Sequence, residues 1–173
     1  MHFTKILPLL LFLGCSTAIE NRNPLNQTFP SVSGTSLERN IVSLLKDLKG
    51  QYAVLLIGYV QNAQFDIDRW ILGFTDSKFS FDIYEIPTIP GMFPGMISGY
   101  IDNGMRSGIP QELWKDVITV YGDDAKKIVS FTGNERPLNA RVLVINPEGK
   151  VIFFHDRGYS IPALKSLMGT LPK

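Results

Sequence analysis

From Gln51 to Val60 the chain reads Ala-Val-Leu-Leu-Ile-Gly-Tyr-Val after two flanking residues, an unbroken apolar run of strand length bounded by Gly50 and by Gln61-Asn62. Such a run, without alternation, predicts a strand buried on both faces and therefore central in its sheet. Between Gln64 and Thr75, Ile67, Trp70, Ile71 and Phe74 fall at i, i+3, i+4 and i+7. That spacing predicts an amphipathic helix with Asn62 as N-cap and with Asp66, Asp68 and Arg69 turned away from the apolar stripe. Phe79 to Ile86 alternates, so that Phe79, Phe81, Ile83 and Glu85 share one face of a strand. Val117 to Tyr121 is a short β-branched strand, and Asp123 to Phe131 is a helix capped by Asp123 with Ala125, Ile128 and Val129 inward. Arg141 to Ile145 and Val151 to Phe154 flank Asn146-Pro147-Glu148-Gly149, which predicts an antiparallel hairpin. Ser160 then caps a helix carrying Leu164, Leu167, Met168 and Leu171. The order β-α-β-α-β-α-β-β-α predicts an α/β domain: a mixed, mostly parallel central sheet with right-handed crossovers, a terminal hairpin and helices on both faces.

Composition narrows the possible chemistry. The 173 residues are 45% apolar and 19% charged, the profile of one folded domain. Seventeen Lys and Arg oppose 16 Asp and Glu, and Lys5 is the one charged residue before position 15, so the remainder is balanced. No overall positive field is available to neutralise phosphates, and no nucleic-acid partner is expected. A single cysteine excludes an internal disulfide, a thiolate zinc cage and a two-cysteine redox pair.

That cysteine follows a basic start, Met-His-Phe-Thr-Lys, and the uncharged run Ile6 to Gly14, the layout of a secretory leader too short to span a bilayer. Phe12-Leu13-Gly14-Cys15 resembles a bacterial lipobox, although Phe12 and Leu13 depart from its usual residues. The resemblance implies a leader over 1–14, lipidation at Cys15 and attachment to the bacterial envelope, with Ser16 permitting the outer membrane. The alternative is cleavage near Ala18, with Cys15 an ordinary residue of the leader. Residues 15–28 are polar and lack periodicity, so they are expected to form a flexible tether before a domain over 29–173.

Phe29-Pro30, Gly34 and Leu37 before the first buried strand, then Leu48-Lys49-Gly50, Val54 to Tyr59, Val142 to Asn146, Gly149 and Val151 to Phe153, resemble the thioredoxin-like domains of the TlpA and peroxiredoxin type. The resemblance implies that fold. In that family the redox cysteines sit where the first core strand feeds its helix; here the stretch is Val60-Gln61-Asn62-Ala63-Gln64, without sulfur. The family's loop proline belongs near Asn139-Ala140 and is missing there, the alternative being that Pro137 is that proline displaced. Thiol-disulfide exchange and peroxide reduction are therefore not expected, and no cofactor is. A fainter likeness, through Phe29-Pro30, Gly34, Leu37, Met105-Arg106 and Gly108-Ile109-Pro110, is to thioredoxin-like assembly factors of mitochondrial ATP synthase.

Glu85 ends an apolar row near the carboxyl end of a parallel strand, the edge where open α/β sheets place ligands. If it points inward it needs a partner, for which Arg106 is the candidate; otherwise it pairs structurally or stays wet. Residues 86–101 are uncharged and contain Pro87, Pro90, Pro94, Gly91, Gly95, Gly99, Met92 and Met96. The glycine spacing fits close packing of a helix on the sheet, and the methionines fit an adaptable binding surface. Asp66 with Asp68, and Asp123 with Asp124, read as first-turn carboxylates opposing the helix dipole rather than metal ligands. His155 is read as a surface residue or one that backs a site without touching a ligand, and Trp70 and Trp114 as core. Two functions follow. One is an envelope binding or assembly factor that contacts a protein partner through Gln61, Asn62, Gln64, Asp68, Glu85, Met92, Met96 and Arg106. The other is a non-redox enzyme using Asp68, Glu85 and Arg106 in acid-base work.

Overall fold

The computed structural model describes residues 18–91 and 95–172. A short hairpin comes first, β1 (Ser33–Ser36) and β2 (Ile41–Ser43), running into the single turn α1 (Leu44–Asp47). Then follow β3 (Ala53–Gly58), α2 (Gln64–Asp76), β4 (Asp82–Ile89), α3 (Gly95–Gly108), β5 (Ile118–Tyr121), α4 (Gly122–Thr132), β6 (Arg141–Ile145), β7 (Val151–His155) and α5 (Ile161–Thr170). From β3 onward this is the expected order. The seven strands lie as β2-β1-β5-β4-β3-β6-β7. Only the β3–β4 and β4–β5 pairs are parallel; the other four are antiparallel. The expectation of a mostly parallel sheet is corrected to a mixed, mostly antiparallel one, because β6 returns antiparallel to β3 and the N-terminal hairpin adds two antiparallel pairs. β1 and β2, reading Ser-Gly-Thr-Ser and Ile-Val-Ser, are too short and polar to announce themselves by period.

All six residues of β3 are buried, which its apolar run dictated. Alternation along the strands divides the core in two. Leu55, Ile57, Ile86, Ile118, Val120, Leu143 and Ile145 face α4, where Ala125 and Ile128 meet them. On the other face Val54, Leu56, Val142 and Val144 meet Ile67, Trp70 and Phe74 of α2 and Leu164 and Leu167 of α5. Ile83 joins this second layer from β4, and Phe79 and Phe81 join it from the loop before, since the strand expected over Phe79–Ile86 is shifted to Asp82–Ile89. The turn between β6 and β7 closes as expected, with Gly149 N donating to Asn146 O at 2.8 Å and Gly149 at φ 79°. Ser160 Oγ accepts from Ala163 N at 3.3 Å and caps α5.

The two other expected caps are corrected. A 3-10 turn over Gln61–Ala63 occupies the approach to α2, so Asn62 lies inside that turn and caps nothing. Helix α4 begins at Gly122, so Asp123 lies within its first turn and binds Lys126 at 2.7 Å instead.

The segment expected to be a free tether is laid on the domain from Ile19 onward. Ile19 N donates to Asn134 Oδ1 at 2.6 Å and Asn134 N returns to Ile19 O at 2.8 Å. Arg22 N reaches Thr132 O at 3.0 Å, Asn26 N reaches Val151 O at 2.8 Å, and Phe29 N reaches Gly149 O at 2.9 Å. Gly133, at φ 72°, lies so close beneath this segment that a Cβ there would collide with the Glu20 carbonyl.

The centre of this arrangement is Arg141, which is fully buried. Its Nη1 donates to the carbonyls of Arg136 at 2.6 Å and Asn139 at 2.9 Å, and its Nη2 to Asn21 Oδ1 at 2.8 Å. The guanidinium stacks 5.3 Å from the centroid of Tyr59. Burial pulls Arg141 below its ordinary value and pushes the Tyr59 hydroxyl up to about 12, against the lowering effects of Thr132 and Arg141. Arg141→Met should therefore cost about 3 kcal/mol in urea unfolding, since it removes three charge-assisted hydrogen bonds and the stack on Tyr59. Amide exchange at Asn21 and Arg22 should speed up in the same variant, because their segment loses its inner anchor.

Candidate functional site

One edge of the sheet gathers the chain's unusual polar groups. The carboxyl end of β3, the start of β6 and the end of β7 coincide there, as the pairing of Ile57 with Arg141 and of Val142 with His155 fixes. Helix α2 rises from this edge as a ridge with two flanks. Its buried stripe holds Ile67, Trp70 and Phe74, as the period predicts, together with Gly73 and one charged addition that the period does not show.

The addition is Asp66, expected to face solvent but only 5% exposed. Its Oδ2 accepts from Ala140 N at 2.9 Å and its Oδ1 from Tyr159 N at 2.7 Å. A carboxylate can remain buried when such charge-assisted bonds replace its water. Asp66 thus ties α2 to the loop before β6 and to the loop after β7. Nothing in local periodicity separates it from Asp68; only the two distant amides do.

On this flank a cleft of about 430 Å³ is lined by Asn62, Phe65, Asp66, Arg69, Leu138, Asn139, Arg157, Gly158 and Tyr159. Phe65 is 69% exposed and Leu138 58%, large apolar side chains standing at its rim. His155 is half-buried behind it, its Nε2 within 2.8 Å of Gly158 O and its ring against Trp70, the second of the two places expected for it.

The other flank assembles three expected residues. Gln64 Nε2 donates both to Asp68 Oδ1 at 2.9 Å and to Glu85 Oε2 at 3.2 Å, so one amide bridges two carboxylates. Gln61 and Asn62 are exposed in the turn just before them. Burial holds the Glu85 carboxyl above its usual range, Gln64 opposes the rise and the neighbouring charge of Asp68 adds to it. Glu85 sits mid-strand rather than near the end, opposite Leu56, because β4 continues to Ile89.

Arg106 does not serve Glu85. Its Nε donates to Leu37 O at 2.6 Å and its Nη1 to Asn103 Oδ1 at 2.7 Å, and its guanidinium lies 6.0 Å from the Trp114 centroid. Trp114 is half-buried rather than core, its Nε1 donating to Ile109 O at 2.9 Å. The expected Glu85–Arg106 pair is thereby corrected: the carboxylate's partner is an amide from α2.

Cys15 and Met92 lie outside the described residues, and Met96 falls in the first turn of α3. No residue of α3 from Ile97 to Gly108 is buried, and Tyr100 is 82% exposed. A Cβ on Gly99 would meet nothing within 4 Å, so this glycine does not bring the helix close to the sheet. The helix is instead held by polar bonds, Tyr121 OH to Asp102 Oδ1 at 2.8 Å among them, and burial followed by that aspartate pushes the Tyr121 hydroxyl up. Asp124 accepts from Ser33 N and from Lys127, and both contacts hold its carboxyl below the usual range. No cluster of three metal-ligating side chains occurs among the described residues. No helix there is long and apolar enough to cross a membrane.

No family model matches the chain, and no curated protein shows significant similarity to it. Solved structures do. The exposed lipoprotein thioredoxin of Streptococcus pneumoniae superposes with a TM-score of 0.55 at 13% identity, over 82% of this chain and all of the other. BsSco, a member of the Sco family of cytochrome c oxidase assembly proteins, gives 0.56 at 12%, over 87% and 95% of the two chains. A putative protein disulfide isomerase from Bacteroides thetaiotaomicron gives 0.56 at 14%, over 88% and 91%. The chain has the thioredoxin-like fold, as the resemblance implied, with a mixed sheet and helices on both faces.

Two outcomes follow. Asp66→Ala should cost about 3 kcal/mol in urea unfolding, because two amide donors lose a charged acceptor. For Glu85, whose ordinary value is 4.5, the unfolded chain ionises first as pH rises, so the folded state loses stability until its own higher pKa is passed. Glu85→Gln should therefore gain stability relative to wild type as pH rises past 4.5, read from urea midpoints, with no further gain once the folded-state carboxyl has itself ionised.

Proposed function

We propose that this protein is a membrane-anchored thioredoxin-like lipoprotein that binds and assists an envelope component and performs no dithiol chemistry. The observation that carries the reading is the turn over Gln61–Ala63: it occupies the strand-to-helix corner of the fold and presents amides where thiols would be needed. A helix N-terminus lowers a thiol pKa only where a thiol is present. What remains at this corner is hydrogen-bonding capacity, from Gln61 and Asn62 through the Gln64–Asp68–Glu85 bridge; the reading adds Met92, Met96 and the exposed residues of α3 as further contacts for the partner.

The envelope assignment draws on the leader-like residues 1–14 and on Cys15, the one thiol, placed where a lipobox puts it. It also draws on the fold's occurrence in an exposed pneumococcal lipoprotein, and the assembly role on its occurrence in a Sco-family assembly protein. Lipidation would supply about 0.8 kcal/mol for each buried methylene, enough with several chains for a stable anchor without a spanning helix. Outer-membrane placement facing the periplasm follows from Ser16 by the same lipoprotein likeness.

A second reading, acid-base catalysis on a small molecule, is favoured by one observation, the raised carboxyl of Glu85 held beside Asp68. It no longer includes Arg106, which is occupied by Leu37 and Asn103.

A photoreactive residue at Asp68, introduced in living cells, should trap one predominant envelope protein, while the same probe at Lys150 on the opposite edge should not. The purified protein should reduce no protein disulfide above background. Equal adducts from both positions, or measurable dithiol turnover, would overturn the binding-factor reading. A melting shift with a metabolite, abolished by Glu85→Gln, would favour the enzyme instead.

A further inference from the structure

The pinned N-terminal segment and the cleft share one edge of the sheet. Asn21 Nδ2 donates to Asp156 Oδ2 at 2.9 Å, and the next residue, Arg157, lines the cleft. Asn139 joins the two from the other side, its Nδ2 donating to Asp156 O at 3.1 Å while its carbonyl receives Arg141. From Cys15 to the first pinned residue, Ile19, there are four Cα steps, which span at most about 14 Å even when fully extended. A domain of this size has a radius of gyration of about 15 Å, so such a link cannot carry the opposite edge to the bilayer.

The rim of the cleft has the chemistry of a membrane interface. Phe65 and Leu138 stand out from it, and Val60 is exposed beside them. Arg69 and Arg157 have no hydrogen-bond or ion-pair partner among the described residues, and Arg136 offers another free guanidinium on the adjoining loop. The carboxylates nearby are already engaged: Asp66 by two backbone amides, Glu135 by Asn21 N, and Asp156 by the Asn21 side chain. Apolar side chains interleaved with unpaired arginines suit the boundary between acyl chains and phosphates.

We propose that this edge lies against the bilayer in the anchored protein, with Phe65 and Leu138 in the interfacial layer and Arg69 and Arg157 on lipid phosphates. The inference rests on the lipidation of Cys15 proposed above. It makes the edge a membrane-facing surface and leaves the Gln64–Asp68–Glu85 flank and α3 for a partner that is itself near the membrane.

The test uses the full chain, processed in cells and reconstituted into vesicles of phosphatidylethanolamine and phosphatidylglycerol. A cysteine introduced at Leu138 and carrying an environment-sensitive fluorophore should be quenched by headgroup-labelled lipid several-fold more than one at Lys150. Arg69→Glu with Arg157→Glu, two exposed changes that spare the fold, should remove most of that difference while the protein still floats with the vesicles. Equal quenching at positions 138 and 150 in floating protein overturns the orientation alone. Protein that does not float with the vesicles, and behaves as Cys15→Ser does, overturns the anchor and this inference with it. Quenching at Leu138 that appears only when another envelope protein is added assigns the rim to that protein and overturns the lipid contact.

Discussion

The carboxylate of Asp66 is the contact on which the functional edge depends. Taking a carboxylate out of water costs several kcal/mol, and the cost is met only if fixed donors replace the solvent. Ala140 N and Tyr159 N do so, and they come from loops 74 and 93 residues away. Because both loops must present an amide to one side chain of α2, their positions relative to that helix are not free. The cleft is the space left between three elements held at a common point, and its rim residues inherit their positions from that point.

Arg141 plays the matching part on the other face of the same edge. It is a buried cation whose contacts are carbonyls and an asparagine amide rather than a carboxylate, an arrangement in which several neutral acceptors share one charge. Asn21 supplies one acceptor while donating to Asp156, so the N-terminal segment becomes part of the domain's interior bonding. The two nodes meet in the loop before β6, where Asn139 gives its carbonyl to Arg141 and Ala140 gives its amide to Asp66. A short stretch of main chain therefore couples the cleft, the buried cation and the emerging N-terminus.

The regular elements were legible because burial imposes a period. The unbroken run of β3, the stripe of α2, the alternation of Phe79, Phe81 and Ile83 and the turn at Asn146–Gly149 each carry their environment in their spacing. The polar nodes do not. Asp66 and Asp68 are two residues apart on one helix, and which of them turns inward is decided by amides far along the chain. Arg141 begins a strand whose other members are apolar, and its charge gives no hint that it is buried. Residues 19–28 lack periodicity because they pair by single backbone bonds and side-chain amides rather than by a repeated face, so their polarity does not mean freedom. Alternation fixes the face of Glu85 but not its partner, because an argument that stops at charge prefers the cation Arg106 and passes over the neutral amide of Gln64.

The absent sulfur and the absent loop proline belong to the same local reorganisation. Near the place where the thioredoxin-like resemblance puts a proline, this chain has Asn139-Ala140, and alanine carries an amide proton that proline lacks. A buried amide at that position must find an acceptor, and the acceptor is Asp66, one turn into the helix whose start would otherwise hold the thiols. The same carboxylate places a negative charge beneath that helix start, an environment that opposes formation of a thiolate. Geometry and electrostatics at this corner thus agree with each other: the edge is organised around a fixed anion and its two amides, which suits holding a surface in place and works against the chemistry for which a reactive sulfur would be needed.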